Sequence, residues 1–177
     1  MTDAPLFYRF DDRQFDRWLI LDRDGTLNRD AGYTHEPADL EILPGVVDAL
    51  SRLSDDGWGM AIATNQSGIA CGTFGVDSMV AFNNALVREL ADTGVVISAI
   101  AACPHSPTTV PSCTCRKPQP GLIALLSDAC HMESDLTVFV GNSAVDFEAA
   151  SRAGVRFLWG RDESDWTTVA AELMGAS

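Results

Sequence analysis

The sequence predicts an α/β fold, a three-layer Rossmann-like parallel sheet with helices on both faces. Three observations predict it. Short apolar runs alternate with segments of helical periodicity along most of the 177 residues. Pro44-Gly45, Gly57 and Gly94 mark joints between the two kinds of segment. Polar residues of chemical interest follow the apolar runs, and ligands of such sheets bind at the carboxyl ends of the strands.

Taken in order, residues 18–22 read as a strand and a long polar loop runs on to about Leu43. Pro44-Gly45 opens a helix whose apolar positions Val46, Val47, Leu50 and Leu53 recur at helical spacing, and Gly57 stops it. "WGMAIAT" is a buried strand, "NQSGIACGTFG" a glycine-rich loop, and residues 77–93 a helix ended by Gly94. "VVISAIAAC" is the third strand, and residues 104–118 form an irregular loop rich in Pro, Ser and Thr. "GLIALLSDACH" reads as helix, "LTVFVG" as strand, "VDFEAASRAG" as helix, "VRFLW" as strand and "WTTVAAELM" as a last helix. Such alternation means βαβ units with right-handed crossovers. No repeat or low-complexity linker divides the chain, so residues 1–177 are expected to form a single domain. The connections after the first two strands are too short to fold alone, so no separate cap domain is expected.

The formal net charge of −13 argues against nucleic acid or an anionic membrane as partner. It also requires that any phosphorylated ligand meet a local concentration of cations or a metal. No apolar stretch reaches the roughly 20 residues of a membrane span. The first residues, "MTDAPLFYRFDDRQFD", carry acids where a signal peptide needs bases. A cytoplasmic monomer is the expectation, and five cysteines, an odd count, suit a reducing compartment.

Four groups of polar residues should meet on one edge of the sheet. Asp22 and Asp24 follow the first strand, Thr64 and Asn65 the second, and Asp146 the fourth, while Arg116 and Lys117 lead into the helix after the third. Each has an ordinary structural explanation alone. Thr64 and Asn65 suit a turn or cap, Asp146 the first turn of a helix, and Lys117 a solvated surface. Chance rarely lines up all of them together.

"DRDGT", "TNQSG", "CRKPQPG" and "VGNSAVD" resemble the four motifs of the haloacid dehalogenase-like phosphatases, over about residues 18–160. "GYTHEP" and "NQSGIA" resemble the heptose bisphosphate 7-phosphatase subgroup more than histidinol-phosphate phosphatases. The resemblance implies a small phosphorylated sugar as substrate and hydrolysis through an aspartyl phosphate. Asp22 would be the nucleophile and Asp24 the general acid and base. Thr64, Asn65, Arg116 and Lys117 would bind the phosphoryl group and substrate. Mg²⁺ would be held by Asp22, the Asp24 carbonyl, Asn142 and Asp146, hard oxygen donors that suit it.

"CPHSPTTVPSCTC" brings Cys103, His105, Cys113 and Cys115 into one loop, 103–115. Four soft ligands suit a tetrahedral Zn²⁺. Two disulfides compete with that reading but leave His105 unexplained. The resemblance includes a structural zinc loop of this pattern. Cys130 reads as core packing.

Two positions depart from the family. Position 71 is commonly Arg in the relatives and is Cys here, and position 142 is commonly Asp and is Asn here. A neutral Asn142 keeps open a catalytically weak sugar-phosphate-binding relative. The same chemistry on another small ester such as histidinol phosphate is a third reading, since a site without a cap could admit varied substrates.

Overall fold

A continuous apolar run is stable as a strand only where both faces of its sheet are covered. The computed structural model, which describes residues 4–108 and 113–175, has four such strands. These are β2 (Arg17–Leu21), β3 (Trp58–Asn65), β4 (Ile97–Cys103) and β5 (Thr137–Gly141), buried almost end to end. With β1 (Leu6–Arg9) and β6 (Arg156–Trp159) they form one six-stranded sheet in the order β1-β4-β3-β2-β5-β6. Strands β2 to β6 are parallel, as the alternation of segments requires.

The sheet is mostly parallel, as expected, with one antiparallel edge strand that the sequence does not announce. Strand β1 runs antiparallel to β4, with Leu6 opposite Ala102 and Arg9 opposite Ala99. Four half-buried residues give too little alternation to announce a strand. An antiparallel edge strand needs no crossover helix, so no helical segment flags it either.

Among the described residues five α-helices cover the sheet: α1 (Val46–Asp55), α2 (Val76–Ala91), α3 (Gly121–Cys130), α4 (Ala144–Ala153) and α5 (Glu163–Met174). On one face Leu50 and Leu53 of α1, Leu86 and Leu90 of α2, and Trp166 and Leu173 of α5 pack on Leu19, Leu21 and Ile62. On the other, Leu122 and Leu126 of α3 and Ala149 and Ala150 of α4 pack on Ile20, Ala63 and Phe139. Cys130 lies in this second core, as its helical position predicts. Among the described residues no helix is long and apolar enough to cross a membrane.

The order of the strands creates the site. From β2 the chain moves outward through β3 to β4, then crosses back to β5 on the other side of β2. Adjacent crossovers diverge at β2 and β5, so a crevice opens at their carboxyl ends. From below, fully buried Trp166 donates its indole N–H to the Thr26 carbonyl at 3.3 Å, which props the turn that follows β2.

Candidate active site

Residues 22–28 continue β2 into a tight turn. Asp22 N–H still pairs with Val140 C=O across to β5 at 2.9 Å. The amides of Leu27 and Asn28 then turn back onto the Arg23 carbonyl at 2.9 and 3.2 Å. Gly25 is required twice over: its φ is +77°, and a Cβ there would stand 2.0 Å from Asn142 Nδ2. The turn aims Asp22 and Asp24 into a cleft of about 160 Å³ that Thr64, Asn65, Lys117, Asn142, Ser143 and Asp146 also line. Of the residues expected at the phosphoryl and magnesium sites, Arg116 alone lies off this lining.

Lys117 is the centre of the cleft. Its ammonium, on a residue only 3% exposed, lies 2.5 Å from Asp22 Oδ1, 2.7 Å from Asp146 Oδ1 and 2.8 Å from the Ala63 carbonyl. Burial alone would push the ammonium's pKa down, but the two carboxylates outweigh it and the net shift is upward. For Asp22 burial is the larger effect. It raises the carboxyl to about 6 against the opposing pull of Lys117, with Asp146 adding to the rise. Asp146 is held from its other side by Ser143, whose N–H donates at 3.1 Å and whose hydroxyl also donates, forming the capping box of α4.

Other expected residues have partners the motifs do not announce. Asn65 clamps the Lys117 backbone: its Nδ2 donates to the carbonyl at 3.0 Å and its Oδ1 accepts from the N–H at 3.1 Å. The Thr64 hydroxyl accepts from Gln66 Nε2 at 2.8 Å. Arg116 donates to the His105 carbonyl at 3.1 Å, so it braces the cysteine loop. Asn142 donates from Nδ2 to the Asp24 carbonyl at 3.0 Å, directly across the turn from Gly25. Cys71 is exposed.

Arg23 escapes a reading of the motifs altogether. A charged residue inside "DRDGT" reads as a loop cation, yet Arg23 is wholly buried. Its guanidinium stacks 4.5 Å from the Phe82 ring centroid. It grips both Asp24 oxygens, at 3.0 Å from Nε to Oδ1 and 2.9 Å from Nη2 to Oδ2. Asn28 and Gln66 donate to the same two oxygens at 3.2 and 2.8 Å. The only sequence sign of this is the aspartate on each side of it, which leaves an arginine well placed to neutralise one.

Cys103 ends β4, and its sulfur lies 3.4 Å from His105 Nδ1 and 3.7 Å from Cys113 Sγ. Cys115 Sγ lies 3.3 Å from His105 Nδ1 and 3.6 Å from Cys113 Sγ. All four donor atoms fall within 4.8 Å of one another. The thiols are free, not bridged. A hydrogen bond from the Cys115 thiol is the largest influence lowering Cys103, to about 5. The same bond, with burial, pushes Cys115 up. The middle of the loop, 109–112, lies outside the described residues.

A mostly parallel sheet carrying an aspartate pair, a buried lysine and an acidic helix start at one crevice is the arrangement of a haloacid dehalogenase-like phosphatase. The family model of polynucleotide kinase 3 phosphatase matches residues 14–169, and the chain belongs to that family. It is 37% identical over 142 residues to the D-glycero-beta-D-manno-heptose-1,7-bisphosphate 7-phosphatase of Escherichia coli K12, covering 77% of this chain and 74% of that one. The protein of the same name from Photorhabdus laumondii is 36% identical, covering 77% and 76%. Among solved structures, the D,D-heptose 1,7-bisphosphate phosphatase of B. bronchiseptica, complexed with magnesium and phosphate, superposes with a TM-score of 0.80 at 31% identity. That match covers 91% of this chain and 99% of the other.

Proposed function

We propose that the chain removes the 7-phosphate of D-glycero-D-manno-heptose 1,7-bisphosphate through a phosphoryl-aspartate on Asp22. The observation that carries this reading is the buried contact of Asp22 with Lys117. It places one carboxylate oxygen on a cation, while the Thr26 hydroxyl donates to the other at 3.3 Å and the residue lines a cleft of polar groups. Heptose bisphosphate phosphatases among the relatives support the substrate. Asp22 attacks phosphorus, and the P–O bond to the sugar breaks as Asp24 gives the departing oxygen its proton. Water then attacks the phosphoryl-aspartate, Asp24 takes the water's proton, and phosphate leaves with Asp22 restored. Lys117 balances charge on the transferring group, and Thr64 offers it a hydroxyl. Asn65 and Arg116 serve the substrate by fixing the Lys117 backbone and the neighbouring loop.

The cleft's oxygens fit Mg²⁺, which would be held by Asp22, Asp146, the Asp24 carbonyl and Asn142. When bound, the ion supplies positive charge to the phosphoryl oxygens. Asn142 meets the Asp24 carbonyl through its amide nitrogen, so the amide must turn over to offer its oxygen. That geometry favours weakened metal affinity as the second reading. The Cys103, His105, Cys113 and Cys115 cluster fits Zn²⁺, because ligands about 2.3 Å from a tetrahedral centre stand about 3.8 Å apart. Its spacings are close to that. We read the chain as a single-domain cytoplasmic monomer without nucleic-acid or membrane partners. An odd count of five cysteines and a net charge of −13 suit that setting.

The test is phosphate release from heptose bisphosphate, sugar monophosphates and histidinol phosphate, with Mg²⁺ and with chelator. The bisphosphate should be the best substrate, and Asp22→Asn should abolish turnover while leaving the melting transition in place. Preference for histidinol phosphate would overturn the substrate, and turnover by Asp22→Asn the mechanism. Elemental analysis should find about one Zn²⁺ per chain. Cys113→Ser should lose it and become less stable, whereas a native chain purified without zinc and equally stable would remove the site. Asn142→Asp should lower the Mg²⁺ needed for half-maximal rate, and should deepen the Mg²⁺-induced rise in melting temperature. Equal Mg²⁺ requirements in both assays would show that the amide serves as well as a carboxylate.

A further inference from the structure

Asp24 accepts four hydrogen bonds, and a carboxylate has about four lone-pair sites. Two come from Arg23, one from Asn28 and one from Gln66. An aspartate so engaged has no site left for a proton or a substrate oxygen. To act on a leaving group it must release at least one donor, so the identity of the fixed donors matters. Asn28 and Gln66 each divide one amide nitrogen between Asp24 and another acceptor, the Arg29 carbonyl and the Thr64 hydroxyl. Arg23 is held from every side. Phe82 covers its face, Asn83 Oδ1 accepts from Nη1 at 2.8 Å, and the Thr34 carbonyl accepts from Nη2 at 2.9 Å.

We propose that Arg23 is a positioning residue that latches Asp24 against α2 and the loop carrying Thr34, and so sets the direction from which this acid meets the leaving oxygen. One nitrogen, Nη2, joins the acid to that loop, because it donates to both Asp24 Oδ2 and the Thr34 carbonyl. Beside Thr34, Gly32 and Tyr33 line a second cleft of about 270 Å³ together with Asp24, Asn65, Gln66 and Ser67. Any group bound there presses on a loop whose backbone shares a donor with Asp24. Asn83 is the outer tether of the latch, and its own Nδ2 is buried without a hydrogen-bond partner, so its side chain is retained there for the bond it makes to Arg23.

This inference rests on the acid role proposed for Asp24, and leaving-group dependence separates the two. A general acid matters for an alkoxide leaving group and little for p-nitrophenolate, which departs without a proton. Arg23→Lys keeps the charge and loses the fork. Its kcat on a sugar phosphate should fall by about 100-fold, in the range such catalysis contributes, against less than about 5-fold on p-nitrophenyl phosphate. Asn83→Ala leaves the fork and removes one tether, and should show the same asymmetry in milder form, which keeps the test open if Arg23→Lys folds poorly. Inhibition by inorganic phosphate should be unchanged in both variants. Equal losses on the two substrates in folded Asn83→Ala and Arg23→Lys would reduce Arg23 to a structural ion and overturn the proposal. An Asp24→Asn variant whose kcat/KM falls equally on both substrates would instead remove the acid role itself.

Discussion

Everything in the cleft depends on one buried ammonium. Lys117 brings two carboxylates from different parts of the chain to within 2.7 Å of a single nitrogen. Removing the lysine from this triad leaves two buried carboxylates uncompensated, a defect of the kind that costs about 3–5 kcal/mol. The cation also explains the surrounding scaffold. Asn65 fixes its backbone from β3, Cys115 stands two residues before it in the loop from β4, and Ser143 fixes Asp146 at the start of α4. Four strand ends are thereby referred to one point.

The cysteine cluster and the cleft are one construction. Cys103 closes β4, Cys115 leads straight into Arg116 and Lys117, and Arg116 returns to the His105 carbonyl. A loop with little apolar content to bury cannot fix a lysine by packing alone. In the proposed reading a cation shared by the four ligands would do so, and a metal outside the chemistry would aim a residue inside it. On a surface of net charge −13, such aiming matters more than the number of cations available.

The parallel strands, all five helices and most of the cleft were legible in the sequence, because apolar runs and polar strand ends are local patterns. Asp22, Asp24, Thr64, Lys117 and Asp146 meet where that pattern requires. What was not legible depends on distant partners. Asn65 reads as a ligand-facing amide, and its use on Lys117 is set by a residue 52 positions away. Arg23 reads as a surface cation until Asn83, 60 positions on, and Phe82 bury it. Strand β1 was missed because four half-buried residues carry no period. Asn142 could be flagged as a departure from sequence, but its donation to the Asp24 carbonyl required coordinates.

In the proposed reaction Asp22, kept beside Lys117, carries the phosphoryl group. Rapid acid quench during turnover of the native chain with Mg²⁺, followed by mass spectrometry of its peptides, tests this most directly. A phosphoryl group should be found on the peptide containing Asp22, appearing before free phosphate accumulates and disappearing as substrate is exhausted. Phosphate released in a full first turnover with no phosphorylated peptide at any quench time would contradict it.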